Sequence, residues 1–487
     1  STIVDKINSS ENELIDKIDS IAPGFINVKI NKDMFSNQLK QIILSDLSYG
    51  KNNTGKNKSA LVEFVSANPT GPLTVGHGRN AILGDTVCNI LKWNGFKINR
   101  EYYFNNAGRQ MRVLGESVYV RYMELLGENL EIPDGGYEGL YIKDIAKIIF
   151  DTHQEKFKGD SGNKIFKQTA EEYIFEDIEK TLDKIGLKFD SFFNENTLYD
   201  NNDIDRTVND LKAKDLIYEK DGAIWFKATA AGRDMDRVII KSSGEPTYRL
   251  PDIAYHRDKF DRNFDVIVDV FGADHMDAYP DVIAAIKSLD YDSDKIKVLI
   301  HQFVTVLKNG EPVKMSTRKA NFISLDSLID EVGADVTRFF FIMRSMNTHL
   351  DFDLNLAKDQ SDKNPVFYLQ YAFARICNVI RHGENQGFEF SERFDSYLLN
   401  EVSEIKILKM MANFPVMMKT TLKTLEPQIV ANYLQDLASS FHKFYGNCKV
   451  ITEDKKLSHA RLGLIHGSKI ILSTGLTLLG ISAPEKM

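Results

Sequence analysis

"ALVEFVSANPTGPLTVGHGRNAILGDTV", residues 60–87, changes character halfway along. "ALVEFVS" (60–66) is short, mostly β-branched or aromatic, and reads as a buried parallel strand. From Gly78 the apolar residues recur at helical spacing, through "GRNAILGDTVCNILKWNG" to Gly95. Between the two lie Pro69, Gly71, Pro72, Gly76 and Gly78, with one histidine, His77. A second strand, "FKINREYYF" (96–104), then completes a β-α-β unit. Such a unit opens a doubly wound parallel sheet, whose ligands bind outside the carboxyl ends of the strands.

Outward from that unit the chain divides into three expected parts. Residues 1–58 predict a small α+β segment ending in a linker: helix "ENELIDKIDSI", turn "APGF", strand "INVKI", helix "MFSNQLKQIILSDL", then flexible "YGKNNTGKNKS". Residues 59–360 predict a Rossmann-like α/β domain with an insertion at about 115–240. That insertion holds amphipathic helices and a hairpin with Asp221-Gly222 at its tip. The sheet resumes with "FDVIVDVFGADH" and "KIKVLIHQFVTVLKNGEPV", the latter with a second hairpin at Asn309-Gly310. Residues 361–487 predict an all-α domain, in which Leu434, Leu437, Phe441, Phe444 and Cys448 share one apolar face.

Composition narrows the class. A chain of 487 residues with 43% hydrophobic and 27% charged residues is built like a soluble globular protein of more than one domain. The polar, acidic start does not read as a leader peptide, and no apolar run reaches the ~18 residues of a membrane span. Cys88, Cys377 and Cys448 lie far apart, without a CxxC pair. That argues against a thiolate zinc site and a disulfide framework, and for a reducing cytoplasm. Net charge is −8, yet residues 361–487 carry 15 Lys+Arg against 12 Asp+Glu. The mildly basic tail is compatible with RNA at that end.

Four stretches carry candidate chemistry, and each also has a bland reading. At the Gly/Pro turn, backbone can approach a phosphate chain and His77 can donate to an oxygen whose charge grows in a transition state. Strand-to-helix turns attract Gly and Pro in any case. "EPVKMSTRKANF" (311–322) offers mobile cations for a pyrophosphate leaving group, or simply a solvated basic loop. Glu63 inside an apolar strand is costly to bury unless paired. In "TYRLPDIAYHRDKF" (247–260), Pro251 suits a first helical turn and puts Asp252 near its start, just after Tyr248. Two carboxylates and a phenol suit a guanidinium; the alternatives are an exposed strand acid and a helix-start acid.

In combination, these stretches resemble the class I aminoacyl-tRNA synthetases. "SANPTGPLTVGHGRN" resembles their first signature and "VKMST" their second. "REYYFNNAGRQ", "YRLPDIAYHRDKFD", "VFGADH", "NPVFYLQYAFARI", "FHKFYGNCKV" and "LLGISAPEKM" are similar to the arginyl-tRNA synthetases in particular, from about residue 20 to the end. The resemblance implies activation of L-arginine with ATP, then transfer to the terminal ribose of arginine tRNA, with activation dependent on that tRNA. It implies that Glu63, Tyr248 and Asp252 hold the guanidinium, and that Ser66 and Asn68 hold the amino-acid backbone end, with His275 nearby in the arginine site. Gly76, His77, Gly272, Asp274 and Lys314 would meet ATP, with His77 and Lys314 catalytic. ATP would bring Mg²⁺, and no zinc is expected. The helical tail is similar to the family's anticodon-binding domain, where Tyr371, Arg375 and Tyr445 are candidates to stack on unpaired bases. A cytoplasmic monomer is implied.

Three departures stand out. Thr74 occupies the place of the first signature's first histidine, and threonine carries no charge near neutrality. By analogy with the loss of one oxyanion donor, that substitution is expected to weaken activation about 10²-fold. Thr317 stands where many class I members have a second lysine, leaving Arg318 or Lys319 to serve. The 58 residues before the catalytic strand are about half the family's usual N-terminal domain. Rival readings are another class I synthetase, a nucleotidylyltransferase and a silent RNA-binding paralogue. The paired carboxylates with Tyr248 weigh against the first, the helical tail against the second, and His77 with Lys314 against the third.

Overall fold

The structure is a computed structural model and describes residues 2–9, 15–313, 323–388 and 394–487. They form two compact units, residues 52–358 on the one hand and residues 1–51 with 359–487 on the other.

The N-terminal segment holds α1 (Thr2–Asn8), the antiparallel hairpin β1 (Ile15–Ile21) and β2 (Phe25–Ile30), and α2 (Lys32–Ser45). The helix expected over 11–21 is therefore a strand from Ile15 onward. Ile15, Ile18 and Ile21 have helical spacing, but the chain reverses at Ala22–Gly24, and β1 pairs with β2 along its length apart from one bulge between Ile15 and Lys17. An isolated helix that short is marginal in water. The stretch expected to be a flexible linker is instead a run of hydrogen-bonded turns. Gly55 N–H donates to Asn94 O at 2.9 Å and Lys97 N–H to Lys58 O at 2.9 Å. Gly55 lies under the Phe96 ring, where a Cβ would approach to 2.2 Å.

The larger unit is built on β3 (Ser59–Glu63), α3 (Val75–Trp93) and β4 (Lys97–Phe104), the expected β-α-β unit. Helices α4 (Gly108–Leu125), α5 (Leu140–His153) and α6 (Lys164–Lys184) lead to β5 (Ser191–Asn194). β5 pairs parallel with β4, so the main sheet gains a strand inside the range expected to be insertion. At four residues it is too short to announce itself. After α7 (Asn196–Asp200) and α8 (Asp203–Ala213) come β6 (Ile217–Lys220), β7 (Ala223–Phe226) and β8 (Arg237–Ile240), a separate antiparallel sheet. Asp221 and Gly222, at φ 53° and 73°, turn the β6–β7 hairpin as expected.

α9 (Arg249–Asp261), β9 (Val266–Gly272), α10 (Tyr279–Ser288) and β10 (Ile296–His301) complete the main sheet in the order β10-β9-β3-β4-β5, all parallel. The direction of winding reverses between β3 and β9, which places a ligand crevice at their carboxyl ends. Ala60, Leu61 and Val62 are buried on both faces, as a central parallel strand requires. β11 (Val304–Lys308) and β12 (Glu311–Pro312) form the Asn309-Gly310 hairpin. α11 (Leu325–Val332), α12 (Ala334–Ile342), β13 (Leu350–Asp353) and α13 (Leu354–Lys358) follow, with β13 parallel to β11. The other unit carries four long helices, α14 (Pro365–Asn385), α15 (Val402–Thr424), α16 (Gln428–Asn447) and α17 (Lys455–Leu478). Leu434, Leu437, Phe441, Phe444 and Cys448 of α16 and its end are all buried, as their spacing predicts.

Candidate active site

The crevice at the switch point is a cavity of about 900 Å³. Glu63, Ser66, Asn68, Gly76, His77, Tyr248, Asp252, Gly272, Asp274 and His275 all line it. Lys314 lies outside the described residues. The turn leaving β3 is strained where it meets the cavity. Val65 and Ser66 have φ of 66° and 44°, in a region that β-branched residues rarely occupy. Asn80 Oδ1 holds the turn by accepting the Val65 N–H at 2.6 Å. The strain aims the Ser66 hydroxyl at Glu63 Oε1, to which it donates at 2.9 Å.

Thr74 caps α3. Its Oγ1 accepts the His77 N–H at 3.4 Å, and its own N–H donates to His77 Nδ1 at 3.2 Å. With Nδ1 accepting, the neutral ring carries its proton on Nε2. Burial lowers the His77 pKa, against the pull of the Asp274 carboxylate. His77 is thus a neutral donor at a helix N-terminus, where an anion is favoured.

The other end of the cavity is acidic. Lys259 is fully buried and donates to Glu63 Oε2 and Asp269 Oδ1, each at 2.6 Å. Burial works against its charge, but Asp269 and Glu63 outweigh it and raise the pKa. His256 Nε2 meets Asp269 Oδ2 at 3.0 Å, while its Nδ1 meets Asp252 O at 2.8 Å. Asp252, in the first turn of α9, has its pKa pushed up to about 7 by burial, with the Glu63 and Glu195 carboxylates adding to the effect. One lysine against four carboxylates leaves this end electron-rich and suited to a cationic ligand.

Glu195 was not legible in the sequence. It follows the edge strand β5, and is held by Tyr103 Oη at 2.6 Å and Asn105 Nδ2 at 2.7 Å. Asn105, Tyr103, His256, Asp269 and His301 also line the cavity without having been expected there. Tyr103, Asn105 and His301 had only their position at the ends of β4 and β10 as a sequence signal, while Asp269 lies within β9 and His256 on α9. Tyr248 is exposed, with the Arg249 guanidinium 4.8 Å from its ring centre. His275 stacks on Phe271 at 5.1 Å.

In the helical unit, Tyr371, Arg375 and Tyr445 share the lining of a cavity of about 1270 Å³. The Arg375 guanidinium lies 4.5 Å from the Tyr371 ring centre and 5.2 Å from that of Tyr445, and it donates to Tyr371 Oη. Among the described residues no group of three or more His, Cys, Asp or Glu is arranged to hold a metal ion, and no helix is long and apolar enough to cross a membrane.

Known proteins are similar to this chain in sequence and fold. Residues 38–346 match the family described as tRNA synthetases class I (R), catalytic domain, and residues 369–487 match the DALR anticodon binding domain. The arginine–tRNA ligase of Desulfotalea psychrophila is 47% identical over 479 residues, covering 98% of this chain and 87% of that protein. That of Chlorobium phaeobacteroides is 48% identical, covering 100% and 89%. A Campylobacter jejuni structure described as an arginyl-tRNA synthetase superposes with a TM-score of 0.85 at 33% identity, over 94% of this chain and 100% of that one. The Thermus thermophilus arginyl-tRNA synthetase, 19% identical, shares the fold with a TM-score of 0.79 over 100% of this chain and 91% of that one. Sheet, crevice, helical unit and sequence agree, and the chain belongs to the arginyl-tRNA synthetases of class I.

Proposed function

We propose that this chain is an arginine–tRNA ligase. An α-carboxylate oxygen of L-arginine attacks the α-phosphorus of ATP, the bond to the β-phosphate breaks, and pyrophosphate leaves. The terminal ribose hydroxyl of arginine tRNA then takes the arginyl group from the adenylate, releasing AMP. The observation that carries this reading is one cavity with an acidic end at Glu63, Asp252 and Glu195, and a neutral, Nε2-protonated His77 on a capped helix. The first suits a guanidinium and the second the growing charge on a phosphate.

Glu63, Asp252 and Tyr248 bind the guanidinium, and Ser66 and Asn68 the amino-acid backbone, with His275 beside the bound arginine. Gly76, His77, Gly272 and Asp274 bind ATP, which arrives with Mg²⁺, and Lys314 with the cations after it meets the phosphates. Tyr371, Arg375 and Tyr445 stack on unpaired tRNA bases, and activation waits for that tRNA. The enzyme acts in the cytoplasm as a monomer. Arginine-dependent exchange of labelled pyrophosphate into ATP tests the reading. Exchange is expected with arginine tRNA present and not without it. No exchange under either condition, with tRNA still bound, overturns the reading.

A further inference from the structure

Arg79, two residues beyond His77, is one of the largest fully buried side chains among the described residues. No carboxylate pairs with it there. Instead Nη1 donates to Gln302 O at 2.7 Å and Thr348 O at 3.1 Å, and Nη2 donates to Ser345 O at 3.0 Å. Among the described residues its Nε has no hydrogen-bond partner. Burial lowers its pKa to about 10, so it remains charged at neutral pH. A buried cation satisfied only by main-chain carbonyls is an expensive way to fill space, and packing alone would be served by an apolar residue.

The placement supplies a reason. Two residues on an α-helix differ by about 200° around the axis. His77 faces the cavity, and Arg79 faces away from it, into the crossing of two other segments. Gln302 joins β10 to β11, while Ser345 and Thr348 lead into β13, the parallel partner of β11. Those segments are themselves tied, by Gln302 N–H to Met346 O at 2.9 Å and Leu350 N–H to Phe303 O at 3.1 Å. His301, Gln302 and Phe303 form part of the cavity wall that also includes His77. The next residue, Asn80, reinforces the junction by donating to Val270 O at 2.8 Å and meeting His301 Nε2 at 3.1 Å.

We propose that Arg79 is a positioning residue for ATP, fixing the separation between His77 on α3 and the His301–Phe303 wall through the carbonyls of Gln302, Ser345 and Thr348. The identity of the ligand rests on the ligase reading above. A planar guanidinium reaches the three carbonyls from two separate nitrogens in a fixed plane, a geometry that the single nitrogen of an ammonium does not reproduce. The same charge acts on His301, whose pKa is lowered to about 4 mainly by burial, with Arg79 lowering it further. The wall therefore presents a neutral imidazole.

The test uses the full chain with Arg79→Lys and Arg79→Ala, measured by pyrophosphate exchange with tRNA present. Both variants are expected to raise the ATP KM about tenfold or more, since small displacements of a positioning group are felt strongly. The arginine KM is expected to stay within about twofold, because Glu63 and Asp252 are held by other elements. At saturating arginine, methylguanidinium is expected to recover much of the ATP KM in Arg79→Ala and not in Arg79→Lys. An unchanged ATP KM in either folded variant overturns the proposal. So does an equal rise in both KM values, the mark of general loosening. Failure of both variants to fold assigns Arg79 to stability alone and overturns it too. If the unmodified chain shows no exchange, the ligase reading fails instead, and calorimetric ATP binding by the unmodified chain and Arg79→Lys still decides the role of Arg79.

Discussion

Thr74 does two things at the first turn of α3, and neither needs a charge. Its hydroxyl caps the helix and its main-chain N–H fixes the His77 tautomer. Thr74→Ala is expected to lose about 1 kcal/mol of stability in chemical denaturation, as cap removal does. Thr74→Ser, which keeps the acceptor, is expected to match the unmodified chain in both stability and exchange. His77→Ala is expected to lower the exchange kcat about 10²–10³-fold while leaving the arginine KM nearly unchanged, since the missing donor acts on the phosphate. Asp252 makes a pH prediction. Its folded pKa, pushed up to about 7, lies above the ordinary carboxylate range, so the folded state holds a proton that the unfolded chain releases. Stability from this group is present at low pH and is lost as pH rises through about 7. Arginine binding requires the ionised form, so the arginine KM is expected to fall over the same window. In Asp252→Asn both slopes should flatten, with a higher melting temperature at pH 8 and a much weaker arginine KM; a profile unchanged by the substitution would remove Asp252 from the pocket.

At the scale of elements, α3 and the strand before it approach unusually closely. A Cβ on Gly84 would stand 2.3 Å from the Phe64 ring, and the strained turn at Val65 and Ser66 begins at that contact. Gly84→Ala is expected to cost about 1–3 kcal/mol by denaturant titration, as overpacking does, and to raise the KM of both substrates by displacing α3 as a whole. The β-α-β unit was legible because its period changes from strand to helix within a few residues, a local property of the chain. β1 was not, because isoleucines three apart fit a helix as well as a bulged strand and only pairing with β2 decides between them. β5 escaped notice because four residues carry too little pattern, and its membership of the sheet comes from β4.

Across the whole molecule, the buried lysine is the clearest case of distant segments meeting. Lys259 joins Glu63 and Asp269, which lie 196 and 10 residues away along the chain. Lys259→Met is expected to cost about 3–5 kcal/mol, because two carboxylates then lose their buried partner. A thermal shift of a degree or less would show that water reaches them. In the helical unit, Arg375→Ala removes the cation held between Tyr371 and Tyr445. It is expected to raise the tRNA KM about tenfold, in line with the loss of one stacking platform, with the ATP and arginine KM values unchanged.

The sequence by itself determined the parallel sheet, the helical tail, the family and ten described cavity residues, because strand and helix periods, turn residues and signature order are written along the chain. Only the tertiary structure decided that Thr74 is a cap, that Glu63 is paired with Lys259, that Glu195 faces the cavity and that Arg79 lies buried against three carbonyls. Each depends on what stands opposite a residue in space. Burial and charge then act on that neighbourhood, and no local pattern encodes it.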